Sequence, residues 1–194
     1  MGRVSKEQME RNRDNIIKTS AELFRERGLD GVSVNDIMAA VGLTHGGFYG
    51  HFNSKDELEA VACQRAFDDT STSFSTSGIT SFDEFVDYYL SSGHRDSAGN
   101  GCAVTALASD VLRKPLEKPV RDVYRDGVRK MASQLAAIQG AEPGDAPSDQ
   151  QLAQLAMLTG ALILARATEG DELSERFLAA TKNCLHEENS LNNR

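Results

Sequence analysis

Four serines in this 194-residue chain are each followed three places later by Glu or Gln: Ser5–Gln8, Ser54–Glu57, Ser81–Glu84 and Ser148–Gln151. In that spacing the hydroxyl caps the first turn of a helix and the Glu or Gln reaches back to the capping residue. Ser33–Asp36 is a weaker version with a shorter acid. These signatures cut the chain into helices. No stretch reads as a strand, and no internal repeat is visible. The expected fold is all-α.

Between the caps, apolar residues recur at spacings of three and four. Ile16, Ile17, Ala21 and Phe24 form one stripe of a first helix running from about Ser5 to Arg27, with Gly28 as its C-cap. A short helix over 34–41 ends at Gly42, and Thr44 caps another through about His51. A fourth helix is expected from Ser54 to about Asp69, followed by "TSTSFSTSGITS" (70–81) as a linker. A helix over 82–91, a loop "SSGHRDSAGNG", a helix over 102–113 and a long helix over 116–139 come next, with Pro119 tolerated in its first turn. "GAEPGDAP" is a loop, helices span 150–168 and 171–188, and "NSLNNR" is a frayed tail.

Composition excludes several classes. Forty per cent hydrophobic residues suit a globular helical protein and argue against disorder. There is no apolar leader at the N-terminus and no run long enough to span a membrane, so a cytoplasmic location is expected. Three separated cysteines with no CxxC make neither a disulfide framework nor a structural zinc site, and no metal or cofactor is expected. Catalytic motifs such as GxSxG, HExxH and a phosphate loop are absent, so no catalytic residues are assigned. The net charge is −8, yet residues 1–27 carry seven Lys/Arg against five acids. An acidic body with one locally basic face can bind DNA through that face alone.

Residues 33–52 then have a reading. Two short helices joined at Gly42 form a helix-turn-helix, with Val34, Ile37, Val41 and Phe48 facing inward. Adjacent glycines cost a helix roughly 1 kcal/mol each. Gly46 and Gly47 therefore suit a helix that must press closely into a major groove. Ser33, Thr44, Tyr49, His51 and Lys55 are the expected contacts beside them, with Tyr49, His51 and Lys55 reaching phosphates and His45 reaching base edges. His45 and His51 lie on different helix faces, which speaks against a metal role.

"SVNDIMAAVGLTHGGFYGHFNSKDEL" closely resembles the N-terminal domain of TetR-type bacterial transcriptional repressors (the TetR/AcrR family). Ala39 or Ala40, Gly42, Leu43, Thr44, Phe48, Tyr49, His51, Phe52, Lys55 and Leu58 match its pattern, and Ala21, Phe24, Gly28 and Gly31 match the preceding helix. The resemblance covers roughly residues 10–60. It implies a DNA-binding domain over 1–53 and a ligand-binding and dimerisation domain over 54–194. It also implies a homodimer on a palindromic operator, with half-sites roughly 34–36 Å apart, and a small-molecule effector. A ligand-responsive repressor follows; an activator, a helical protein-interaction adaptor and a small helical enzyme remain open.

Three features of the C-terminal part stay ambiguous. Gly160, Ala161, Ala165, Phe177, Leu178, Thr181 and Leu185 lie on the last two helices, where the resemblance places a dimer interface; such a stripe also suits monomer core. Phe67, Phe85, Tyr88, Tyr89 and Tyr124 suit an apolar ligand pocket or plain core. Cys102, in the first turn of its helix and just after His94 and Arg95, is either a reactive thiol or an inert packed one. "GCAVTALASDV" is similar to the Gly-Cys stretch of a TetR-type branch that includes electrophile-sensing repressors.

Overall fold

The computed structural model describes residues 5–142 and 144–192. Among them there are ten α-helices and no strand. They are α1 (Lys6–Arg27), α2 (Val34–Ala40), α3 (His45–Phe48), α4 (Lys55–Thr76), α5 (Phe82–Tyr89), α6 (Ser92–Asp96), α7 (Ala103–Arg113), α8 (Pro119–Ile138), α9 (Asp149–Ala167) and α10 (Glu172–Asn192). A 3₁₀ turn over Ala98–Asn100 precedes α7.

Every expected serine caps its helix, but not every box closes: Ser5 accepts from the Gln8 N–H while the Gln8 side chain turns to Arg11 and Asn12, and Thr44 at the start of α3 makes no side-chain capping bond. Ser33, Ser81 and Ser148 make reciprocal boxes with Asp36, Glu84 and Gln151, so the shorter acid at Asp36 suffices. At Ser54 the hydroxyl accepts from the Glu57 N–H, but Glu57 reaches one residue further back and accepts from the Asn53 N–H at 2.9 Å.

Four expected boundaries are corrected. The chain over 70–76 is helix, extending α4 by nearly two turns. Thr70 and Thr76 return their hydroxyls to the carbonyls of Ala66 and Thr72, which satisfies groups that would otherwise favour a loop. Phe74 anchors the extension edge-on against Phe85, with ring centroids 5.1 Å apart. In the opposite sense, α3 is only four residues long, and Tyr49–His51 continue as tight turns. The expected loop after α5 contains α6, capped by Ser91. The tail is helical through Asn192, the last described residue.

Packing follows the apolar stripes. Helix α4 is the spine, lying against α1 on one side and α8 on the other, while α9 and α10 pair antiparallel. Ile16, Phe24, Ile37, Phe48, Phe52 and Leu58 close one end of a continuous core that runs through Phe67 and Tyr89 to Leu158 and Leu185. Gly127 of α8 lies against the spine, and any Cβ there would overlap the Phe67 ring. Gly42 takes φ +71° and makes the turn between α2 and α3.

A candidate nucleic-acid interface

The site is built on the α2–turn–α3 unit. Ile37, Met38, Phe48 and Phe52 are fully buried and fix α3 against α1 and α2. Phe48 and Phe52 stack at 5.5 Å, and the Arg13 guanidinium lies 4.4 Å over the Phe52 ring while facing Glu57 at 3.6 Å. Arg13 escaped the sequence reading because its ring partner lies 39 residues away.

The opposite face of α3 is bare. Thr44, His45, Gly46 and Tyr49 are exposed, Tyr49 at 64%. Tyr49 leans edge-on against both Phe48 and His45, at 5.2 and 5.8 Å between ring centroids. A Cβ built on Gly46 meets nothing within 4 Å, and one on Gly47 meets only ordinary contacts with Met38 and Thr44. Neither glycine has positive φ. Nothing inside the protein therefore requires glycine at 46. His51 is half-buried beside Phe52.

Two expected contacts are otherwise engaged. The Ser33 hydroxyl is committed to its capping box with Asp36. The Lys55 ammonium donates to the Leu29 carbonyl at 2.6 Å and faces the Glu59 carboxylate at 3.6 Å. Lys55 is also the only Lys or Arg in residues 28–62. The exposed cations of this end are on α1, among them Lys18 and Arg27.

The aromatic set around the body divides. Phe67, Phe85 and Tyr89 are core. Tyr124 is half-buried, edge-on to Phe67, and donates to the Val104 carbonyl at 2.7 Å. Tyr88 is 43% exposed and stacks on His94. A small apolar cavity of about 20 Å³ lies between Phe74, Phe85, Met131 and Leu135. Cys102 is 1% exposed and sits at the N-cap of α7, one place earlier than the sequence suggested, with its sulfur 3.6 Å from that of Met131. The cations expected beside it are not the ones found. Burial pushes the His94 pKa down, and its Nε2 accepts from the Cys102 N–H while Nδ1 donates to the Tyr89 carbonyl, the pattern of a neutral ring. Arg95 turns to Asp96 and Glu175. The Arg25 and Arg166 guanidiniums have their pKa values lowered by burial.

The stripe on the last two helices is also split. Ala161, Ala165, Leu178 and Leu185 are buried within the single chain, where α9 packs against α10. Gly160, Phe177 and Thr181 keep partial exposure. The exposed large apolar residues of these two helices are Leu152, Ile163, Leu164 and Leu173, each 40–47% exposed, and Leu191 at 68%.

A three-helix helix-turn-helix module joined through a long helix to a larger helical body defines the class of helix-turn-helix DNA-binding proteins. Residues 16–62 match the family model described as bacterial regulatory proteins, tetR family, so this segment is a helix-turn-helix domain of the TetR type. It is similar to an uncharacterized HTH-type transcriptional regulator, YerO, of Bacillus subtilis, at 38% identity over 56 residues, covering 29% of this chain and 19% of that protein. It is similar also to the HTH-type transcriptional repressor DhaR of Mycobacterium sp., at 34% over 64 residues, 33% of this chain and 32% of that protein. The chain thus matches between a fifth and a third of the length of these relatives. The whole fold is shared with solved structures. One is a TetR-family regulator from Agrobacterium tumefaciens (TM-score 0.73, 21% identity, 93% of this chain and 98% of that one). Another is reduced E. coli NemR (TM-score 0.68, 21% identity, 89% and 96%).

Proposed function

We propose that the protein is a dimeric transcriptional regulator that represses from a palindromic operator and is released by a small organic or electrophilic effector. The observation that carries DNA binding is the open face at Gly46, flanked by exposed Thr44, His45 and Tyr49 on a rigidly packed support. A helix with no internal need for glycine, yet with two of them, suits close seating in a major groove. His45 and Tyr49 flank that seat, His51 borders it, and α1 supplies cations for phosphates. The family match favours this reading over the adaptor and the small helical enzyme.

Dimerisation uses α9 and α10, where Gly160, Phe177 and Thr181 keep partial exposure and Leu164 and Leu173 are exposed. Exposed apolar residues that gather into a patch mark association surfaces. The name of DhaR as a repressor supports repression here. For the effector, the cavity beside Phe74, Phe85 and Met131 is far below the roughly 300–1,000 Å³ of small-molecule sites, so a ligand that fills it selects an opened arrangement of α4, α5 and α8. DNA and effector then compete by favouring different arrangements. Cys102 lies at the edge of this region, and the reduced state named for NemR makes a thiol-linked effector the second form of the same reading.

The test is selection of duplexes from a random pool with the full chain, followed by Tyr49→Ala. We expect a palindromic duplex, a stoichiometry of two chains per duplex, and affinity that falls steeply with salt. Recovery of no enriched duplex refutes the proposal.

A further inference from the structure

The α7–α8 turn holds the helix-turn-helix module through a cluster of ion pairs. At its centre is Glu59 of α4, a carboxylate only 2% exposed. It lies 3.0 Å from the Lys114 ammonium and 3.6 Å from that of Lys55. Lys114, the C-cap of α7, also donates to Asp30 at 2.8 Å. Burial works against the Lys114 charge, but Asp30 and Glu59 outweigh it and raise its pKa. Lys118 pairs with Asp56 at 2.5 Å. Arg121 braces the turn from α8, donating to the Lys114 and Leu112 carbonyls at 2.7 and 2.6 Å.

The topology gives this cluster a consequence. Asp30 lies just before the segment that carries α2 and α3, and Lys55–Glu59 lie just after it. One lysine from the body therefore ties together both ends of the reading segment. A buried ion pair adds little net stability over apolar packing of the same volume, whereas its directional bonds fix geometry.

We propose that Lys114 is a positioning residue for DNA binding: with Asp30 and Glu59 it sets the angle of each recognition helix on its own helical body, so that two copies meet two successive grooves together. This rests on the dimeric DNA-binding reading above.

The experiment compares two duplexes, the one selected by the wild-type chain and the same duplex with one half-site scrambled. Lys114→Met should weaken binding to the intact duplex about 10- to 100-fold, the usual size of a coupling between sites. It should leave the single half-site within about twofold, a change too small to register as coupling. Lys114→Arg should restore the intact duplex to within about threefold, since its charge-assisted donors can still reach both carboxylates. Equal loss on both duplexes, or no loss on either, overturns the proposal. Because Lys114→Met leaves Glu59 buried beside Lys55 alone, the pair Lys114→Met with Glu59→Gln removes both charges, and wild-type affinity of that folded pair for the intact duplex also overturns it. Lys118→Met, whose ion pair is half-exposed, should show the same selectivity with a smaller loss, and a uniform loss there counts against the proposal. A wild-type chain that selects no duplex overturns the DNA-binding reading itself, and this proposal with it; failure in the variants alone overturns only the positioning role.

Discussion

Replacing Gly46 by Leu separates the fold from the interface. The position lies inside α3, has negative φ, and offers open space where a Cβ would stand. Within the folded chain the change should help. Glycine in a helix costs about 0.8–1 kcal/mol relative to alanine, and leucine is nearly as good a helix former as alanine. With only four residues in α3, part of that gain is realised, and a gain of about 0.5 kcal/mol moves Tm by roughly 1–2 °C in a domain of this size. At the DNA the same isobutyl group occupies the space through which α3 approaches the bases. Loss of seating removes the specific component of binding, about 4–10 kcal/mol, or at least about 10³-fold in Kd. Nonspecific binding through cations of α1 should persist. The assay pairs a thermal melt with fluorescence anisotropy on the selected duplex and on a scrambled one. A variant that melts at or above the wild-type temperature and still binds the selected duplex within threefold would falsify the assignment of this face. A variant that melts well below wild type would refute the structural half, since it would mean that residue 46 is packed.

Gly127→Ala should destabilise the body by about 1–3 kcal/mol, the usual cost of overpacking, because the new methyl overlaps the Phe67 ring; Phe67→Leu in the same chain should recover part of it in urea melts. Alkylation of the native protein at neutral pH should label Cys184 first, since it is exposed while Cys63 and Cys102 are buried and burial pushes the Cys63 thiol up to about 12; mass spectrometry showing Cys102 ahead of Cys184 would make it the reactive thiol. Acid should unfold the protein as capping carboxylates are titrated. Hydrogen bonds from Ser33 hold Asp36, and those from Asn53 and Thr80 hold Glu57 and Glu84, below the ordinary carboxylate range. Each folded pKa is depressed, so the stability it confers is complete above the unfolded value near 4 and disappears as pH falls through the folded value. Urea midpoints should therefore drop below about pH 4, and more shallowly in Asp36→Asn.

Much of this protein is settled by local chemistry that the sequence displays. A hydroxyl with an acid or amide three places on starts a helix wherever it occurs, which is why Ser33, Ser81 and Ser148 cap as expected. The 3.6-residue period decides that Ile37 and Phe48 turn inward, and that leaves the helix-turn-helix and its glycine face readable before any coordinates. What remained depended on which surfaces meet. Residues 70–76 are helical only because Phe85 and Gln134 are there to receive Phe74 and Ser71. Leu178 and Leu185 could have faced a partner, but they are buried in the chain's own core, while Ile163, Leu164 and Leu173 are the ones left exposed. Lys55 has the composition of a phosphate contact, and a carboxylate four residues along with a carbonyl from the α1–α2 turn draws it inward. Periodicity states that a face exists; only the tertiary arrangement, by bringing distant segments within a few ångströms, decides what covers it.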